Sequence, residues 1–232
     1  CVQRDELFIW LLDRRGPREP GDGSNQKKIG PELGFGWTVG EGFDEPVLLI
    51  KLAWGGKSLA EDFRPPSLEG DTGPYYVEVI EKTKEILNIA DQLFPELKGK
   101  TFELTGLGWH QGWNDRINQS FNDAYEKNMI KFIEDVRRDI EKPNLPFVIA
   151  ETGMSGPEEK HPRALSLMAA QKAAADHPEF KGNVAFVPTR DLYRPAEDSP
   201  SHQAYHWNNN AETYYLLGKH MGEAMLELLK SK

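Results

Sequence analysis

Three short motifs in this sequence carry residue types that suit chemistry at a carbonyl group. Gly55 and Gly56 are adjacent, and glycines let a backbone N–H approach a ligand without a Cβ in the way. Gln111 precedes Gly112, so its side-chain amide is a candidate donor to a developing oxyanion. His206 stands ahead of the predicted last helix, where an imidazole can serve as general base and then as general acid.

Aromatic and polar residues surround these motifs. Flat aromatic faces beside a polar edge suit the apolar faces of sugar rings, although Trp also fills protein cores. Asn114 and Asp115 follow Gln111 closely and are candidates to shape a pocket. The tryptophans that lie in or beside the motifs are Trp54, Trp109, Trp113 and Trp207.

The elements that must position these residues follow a strand–helix alternation. Nearly continuous apolar runs favour parallel strands covered on both faces, and steps of three and four residues favour helices. Because ligands bind outside the carboxyl ends of such strands, the motifs are expected at one edge of the sheet of an α/β layered domain. The predicted strands are Val47–Ala53, Phe102–Trp109, Phe147–Glu151 and Val184–Pro188, and the predicted helices are Tyr75–Phe94, Ser120–Ile140, Arg163–Asp176 and Ala211–Leu229.

The N-terminal part has weaker patterns. Leu7–Leu12 is strand-like, and Gly16–Gly23 is predicted as a surface loop or an insertion tip because of its glycine and proline content. Ile29–Phe43 has helical spacing but five interior glycines, which predicts a weak helix.

Composition excludes several classes of protein. The chain has 232 residues, a net charge of −9 and 38% hydrophobic residues, which suits one globular domain over residues 1–232. An acidic chain lacks the basic face that nucleic acid requires, so that partner is not expected. No apolar run reaches the roughly 18 residues of a membrane span. Cys1 is the single cysteine, so no internal disulfide can form.

Three segments resemble the SGNH/GDSL hydrolase superfamily, and specifically its sialate O-acetylesterase-like branch, akin to carbohydrate esterase family six. They are Lys51–Leu59 (KLAWGGKSL), Trp109–Asp115 (WHQGWND) and Tyr205–Gly218 (YHWNNNAETYYLLG), and the resemblance extends over residues 29–229. It implies a three-layer α/β/α sandwich with a mainly parallel sheet. It also implies a serine esterase that removes acetyl groups from carbohydrates, needs no metal or other cofactor, and is secreted or periplasmic.

The resemblance assigns roles to individual residues. Gly55 or Gly56 would match the second family block, and Gln111 the third, so that they form the oxyanion hole. His206 would match the last block and activate the serine. On the esterase hypothesis, Asn114 and Asp115 would shape the substrate pocket, and Trp54, Trp113 and Trp207 would hold the sugar.

Two departures from the family pattern affect the expected mechanism. No Gly-Gln-Ser-Asn block occurs in the chain, so the sequence is interpreted as an N-terminally incomplete copy that is inactive alone. The family often has Asp three residues before the histidine, and here that residue is Gln203. Either a Ser–His dyad operates, or the acid is Asp191, Asp198 or Glu212.

Other interpretations stay open at this point. A non-catalytic carbohydrate-binding protein on the same fold would explain the tryptophans. A metallohydrolase would use His110, Asp115, His202 and His206 as metal ligands. The spacing of these four residues matches no known metal-binding motif. Ser58 as a replacement nucleophile is disfavoured, because it belongs to no strand–elbow–helix motif and suits a polar loop or cap. Cys1 is either a lipidated cysteine or, preferably, the point of truncation.

Overall fold

A computed structural model describes residues 7–11, 15–17, 28–94 and 97–230. Its strands and helices alternate as predicted for an α/β protein. The strands are β1 (Leu7–Leu11), β2 (Arg15–Pro17), β3 (Val47–Lys51), β4 (Leu107–Trp109), β5 (Phe147–Ala150) and β6 (Val184–Val187). The helices are α1 (Pro31–Gly40), α2 (Pro74–Leu93), α3 (Trp113–Ile117), α4 (Gln119–Asp139), α5 (Pro162–Ala175) and α6 (Ala211–Lys230).

The strands form two three-stranded sheets, in the orders β2-β1-β3 and β4-β5-β6. All pairs are parallel except β1 with β2, which is antiparallel. Within the described residues, β3 pairs only with β1 and β4 pairs only with β5. Each therefore has one edge without a strand partner in the described part of the chain, and we call the space between these two edges the β3–β4 gap.

Two predicted boundaries are corrected by strand pairing. Residues 102–106 are not a strand, because the ladder with β5 begins at Leu107, opposite Phe147. Gly16 and Pro17, predicted within a loop, lie in β2 and pair with Ile9 and Phe8. The rest of the predicted loop Gly16–Gly23 lies outside the described residues.

Helices cover both faces of the parallel sheet. Alternation along β5 sends Phe147 and Ile149 into a core shared with α2, α4 and α5, while Val148 and Ala150 face a second core shared with α6. All four side chains are fully buried. The protein is thus a three-layer α/β/α sandwich with a mainly parallel sheet.

Helices α1 and α6 approach each other closely on the second face. A Cβ added to Gly218 would lie 1.8 Å from the Pro31 carbonyl oxygen, and one added to Gly34 would lie 2.1 Å from that of Tyr215. Glycine is required at these positions because backbone fills the space that a side chain would take. Phe35 of α1 also lies beside Gly108 of β4, so α1 lies under this part of the sheet.

Helix starts are marked by sequence signals. Asn118 caps α4 by accepting hydrogen bonds from the Ser120 and Phe121 amides at 3.0 and 3.4 Å. Proline occupies the first turn of α1, α2 and α5.

None of the helices in the described part of the chain combines the length and apolarity needed to cross a bilayer.

Candidate active site

The loops that follow β3 and β4 are joined by side-chain hydrogen bonds. The Gln111 side-chain amide donates to the Lys57 carbonyl oxygen at 2.9 Å, and that of Asn114 donates to the Gly56 carbonyl at 2.5 Å. The residues predicted to form the second and third blocks therefore lie side by side at the carboxyl edge of the sheet.

Asp115 is the centre of this junction. Its carboxylate is fully buried and accepts from the amides of Leu59 at 2.9 Å and Ala60 at 3.0 Å. It also accepts from the Gln111 amide at 2.6 Å. Burial raises the pKa of Asp115, and the hydrogen bonds from Gln111, Leu59 and Ala60 oppose that rise. We call Gln111, Asp115 and the backbone of Lys57, Leu59 and Ala60 the junction cluster.

The predicted oxyanion donors differ in whether they are already hydrogen-bonded within the protein. Both amide hydrogens of Gln111 are engaged, one by Lys57 and one by Asp115. Gly55 and Gly56 are exposed, and a Cβ added to either would meet no atom within 4 Å. The side-chain direction at both glycines thus faces open space, and Gly56 takes a left-handed φ of +69° that favours glycine.

Buried polar side chains that sequence reasoning missed extend the edge to β5 and β6. Gln171 of α5 is fully buried, accepts from the Thr152 amide at 2.9 Å and donates to the Gln111 carbonyl at 3.0 Å. Glu151 accepts from the Thr189 amide at 2.9 Å and pairs with Arg190 at 3.2 Å. Glu151 ends the predicted third strand, which was a usable signal, whereas nothing local marks Gln171.

The loop that carries His206 reaches the same edge through aromatic rings. The Tyr205 ring lies 4.6 Å from that of His206 and 5.3 Å from that of Trp113. The guanidinium of Arg116 lies 4.8 Å from the Trp113 ring and pairs with Glu159 at 3.0 Å. His206 is exposed. Tyr205 was not among the predicted site residues, although its position next to His206 was a signal.

The tryptophans occupy different environments. Trp54 is partly buried against Tyr75, at 4.9 Å between ring centroids, and Trp113 is partly buried beside Tyr205. Trp207 is only 2% exposed, so protein covers both faces of its ring. The indole belongs to the core around α6, and its buried Nε1 has no hydrogen-bond partner among the described residues. Substrate contact by Trp54, Trp113 and Trp207 stays a prediction, and the exposure of the rings favours Trp113 over Trp207.

None of the three predicted acids is ion-paired with His206 within the described residues. Asp191 and Asp198 are exposed, and no ion pair among the described residues joins either to His206. Glu212 pairs with Arg194 through both its oxygens, at 3.0 and 3.1 Å. This hydrogen bonding and charge lower the pKa of Glu212.

The structure bears on two alternative assignments, Ser58 as a nucleophile and a metal site built from histidine and aspartate. The Ser58 hydroxyl donates to Asp62 at 3.0 Å and accepts from the Glu61 amide at 3.2 Å, so it acts as a buried cap. In the part of the chain that the structure describes, no three His, Cys, Asp or Glu side chains are grouped to hold a metal ion. His110 is half-buried after β4, and burial lowers its pKa to about 4.

Fold and site together define an SGNH-like α/β/α protein, with polar loops assembled at the carboxyl edge of a parallel sheet. The chain belongs to the family described as carbohydrate esterase, sialic acid-specific acetylesterase, whose profile matches residues 13–227. Membership supports a general esterase role with a carbohydrate substrate.

A solved structure shares the fold. It is the X-ray structure at 1.6 Å of a protein from Arabidopsis thaliana, with a TM-score of 0.67 and 18% sequence identity. The match covers 97% of this chain and 82% of the plant protein. No curated protein sequence matches this chain.

Proposed function

We propose that the protein is a serine esterase that removes O-acetyl groups from carbohydrates, with His206 as its general base. The observation that carries the proposal is the meeting of three separate loops at one sheet edge. Gln111 contacts the loop after β3, and the rings of Trp113, Tyr205 and His206 form a continuous run. Membership of the acetylesterase family over residues 13–227 supports the same reaction.

The proposed reaction has two halves. A serine hydroxyl gives its proton to His206 while its oxygen attacks the acetyl carbonyl, and the carbonyl electron pair moves to oxygen. Collapse of this intermediate breaks the ester bond, and the His206 imidazolium gives the proton to the departing sugar oxygen, which leaves as a hydroxyl. Water then attacks the acetyl-enzyme by the same proton route and releases acetate.

The oxyanion donors follow from which hydrogens are available. The backbone N–H groups of Gly55 and Gly56 belong to an open, exposed loop, so a carbonyl oxygen can reach them. Gln111 would have to release Lys57 or Asp115 before its side-chain amide could donate. Its main contribution in this proposal is to hold the loop of Gly55 and Gly56 beside the loop after β4.

The nucleophile is proposed to lie on a further strand in the β3–β4 gap. No Gly-Gln-Ser-Asn block occurs in the 232 residues, so on this proposal the chain by itself is inactive. The loops after β3 and β4 are bonded to each other, while the strands themselves have no mutual pairing. In a longer product that contains the block, the amides of residues 47–51 and 107–109 should exchange with solvent more slowly than in this chain. Equal exchange in both proteins would contradict this placement.

Acetate release tests the reaction itself. We would extend the chain to a longer product that supplies a Gly-Gln-Ser-Asn block and assay it on 4-nitrophenyl acetate, O-acetylated sialic acid and acetylated xylan. His206→Ala should lower kcat at least about 10³-fold, in the range of catalytic-residue removals. His202→Ala is the matched control, since His202 is another exposed histidine of the same loop, and it should keep full activity. Full activity in His206→Ala would exclude the assigned role.

A second candidate, non-catalytic sugar binding, is favoured by the Trp113–Tyr205 ring pair. It predicts sugar binding that is lost in Trp113→Ala, with no acetate release from any acetylated sugar. Calorimetric titration with the deacetylated sugars separates it from the esterase proposal.

A further inference from the structure

The backbone directly after His206 is strained over three residues. Trp207, Asn208 and Asn209 have φ values of +49°, +53° and +58°, in the left-handed region that L residues with side chains disfavour. Only one other described non-glycine residue has a positive φ, Glu141 at +60°. Such strain persists where surrounding contacts over-determine it, and it occurs often at functional sites.

Asparagine side chains supply the contacts that hold this segment. The Asn208 side-chain amide donates to the Arg194 carbonyl at 3.0 Å, and the backbone carbonyl of Asn208 accepts from the Ser201 amide at 3.1 Å. Asn209 donates to Ser201 Oγ at 2.6 Å and to Gln203 Oε1 at 3.0 Å. Asparagine also tolerates the left-handed region better than most residues, because its short amide bonds locally.

The two ends of the segment are anchored in the protein. Trp207 is 2% exposed and packs into the core around α6. Asn210 caps α6 by accepting from the Thr213 amide at 3.1 Å. The His206 carbonyl accepts from the Tyr214 hydroxyl at 3.1 Å. His206 is therefore held between a buried indole and a capped helix, although its imidazole is exposed and has no hydrogen-bond partner among the described residues.

From this arrangement we infer that Asn208 is a positioning residue for His206. Its left-handed backbone and its bond to Arg194 set the direction in which the chain leaves Trp207, and so the direction of the imidazole. This inference rests on the proposed function for the part that His206 plays in turnover. Asn208 itself is buried at 2% and takes no part in the proton transfers.

Substitutions at Asn208 separate backbone from side chain. Asn208→Gly keeps access to the left-handed backbone but loses the bond to Arg194, whereas Asn208→Ala loses both. In the longer product, Asn208→Ala should lower kcat by about 10²-fold with KM changed less than about twofold, as expected for a misplaced catalytic group. Asn208→Gly should lose only about 10-fold. Should Asn208→Ala fail to fold, Asn208→Gly gives the comparison with the wild type.

The control is Glu141→Ala, which places alanine at a left-handed residue that is exposed at the end of α4. It should destabilise the protein without changing kcat.

NMR of this chain supplies a second readout that needs no turnover. The nuclear Overhauser contact between the His206 and Tyr205 rings should weaken in Asn208→Ala and persist in Glu141→Ala. Unchanged ring contact and unchanged kcat in folded Asn208→Ala would overturn the inference. Loss of ring contact in a product that lacks esterase activity throughout would support positioning while contradicting the proposed function.

Discussion

The junction cluster and the loop of residues 201–210 lie at the same sheet edge but are built in opposite ways. In the junction cluster a fully buried carboxylate accepts three backbone and side-chain donors, and the Gln111 amide has no free hydrogen. In the loop, His206 is exposed and its imidazole has no hydrogen-bond partner in the described part of the chain. Strain there lies in the backbone, at three left-handed residues.

This contrast separates residues that build the site from residues that are free to react. A buried polar group with all its bonds made stabilises the arrangement of the loops but has little capacity left for a substrate. An exposed imidazole without a partner contributes little to folding and can take a proton from a ligand. The sequence motifs alone do not distinguish structural from reactive residues, because Gln111 and His206 are both residue types that can act in catalysis.

The largest effect that would test the contrast is expected for Asp115→Asn. The new amide would turn a donor toward the Leu59 or Ala60 N–H, leaving buried donors without acceptors. We expect the free energy of unfolding to fall by about 3–5 kcal/mol, as for a broken buried charge interaction. Chemical denaturation monitored by tryptophan fluorescence measures this loss.

Asp123→Asn makes the same chemical change on the exposed side of α4, where Asp123 accepts from Gln119. It should alter the free energy of unfolding by less than about 0.5 kcal/mol. A similar small effect for Asp115→Asn would mean that the junction cluster is not the structural support inferred here.

The next effect concerns the helix that supports the loop of His206. Gly218→Ala would place a Cβ 1.8 Å from the Pro31 carbonyl, so α1 and α6 must separate. We expect a loss of about 2–3 kcal/mol, typical of overpacking. Gly40→Ala is the control, because a Cβ there meets nothing within 4 Å and alanine favours the helix. Equal stability of the two variants would argue against close α1–α6 packing.

Much of the framework was predictable because it depends on local periodicity. The four predicted helices are confirmed within one residue at each end, and the predicted strands Val47–Ala53, Phe147–Glu151 and Val184–Pro188 are confirmed in shortened form. Residues 102–106 were wrongly predicted as strand, since pairing with β5 begins only at Leu107. Which residues pair is a tertiary property that apolar pattern does not encode.

The sequence predicted which loops form the site, but it did not predict the side-chain hydrogen bonds that join them. Order along the chain indicated that Gly56, Gln111 and His206 share one sheet edge. It did not indicate that Gln111 is engaged by Asp115, or that Gln171 of α5 bonds the Gln111 carbonyl. These contacts join residues 4 and 60 positions apart in sequence. The longer contact has no local signal at all.

A smaller, pH-dependent effect is expected from His110, which directly precedes Gln111 of the junction cluster. Burial lowers its pKa to about 4, whereas an unfolded histidine titrates near 6.5. Between these values the unfolded chain binds more protons, so stability falls as the pH falls. The difference of ~2.5 units between the two pKa values corresponds to ~3.5 kcal/mol at ~1.4 kcal/mol per unit, and partial exposure of His110 reduces the expected loss of stability to about 2 kcal/mol.

His110→Gln removes the titration and keeps a polar side chain. Denaturation midpoints of the wild type and His110→Gln, measured from pH 7 to pH 4, should diverge as the pH falls, with the wild type losing more. Parallel curves would show that His110 is solvated and takes up its proton equally in both states.

The smallest effect on stability, and the sharpest test of the contrast, is expected for His206→Ala. The imidazole is exposed and its ring pairs with that of Tyr205, at 4.6 Å between centroids. Its removal should therefore change the free energy of unfolding by less than about 0.5 kcal/mol. The same substitution is proposed above to remove activity from the longer product. The open arrangement of this loop therefore predicts that His206 contributes little to folding stability but is essential for turnover. If His206→Ala instead destabilised the chain as strongly as Asp115→Asn, His206 would belong with the junction cluster, and its assignment as a free base would have to be withdrawn.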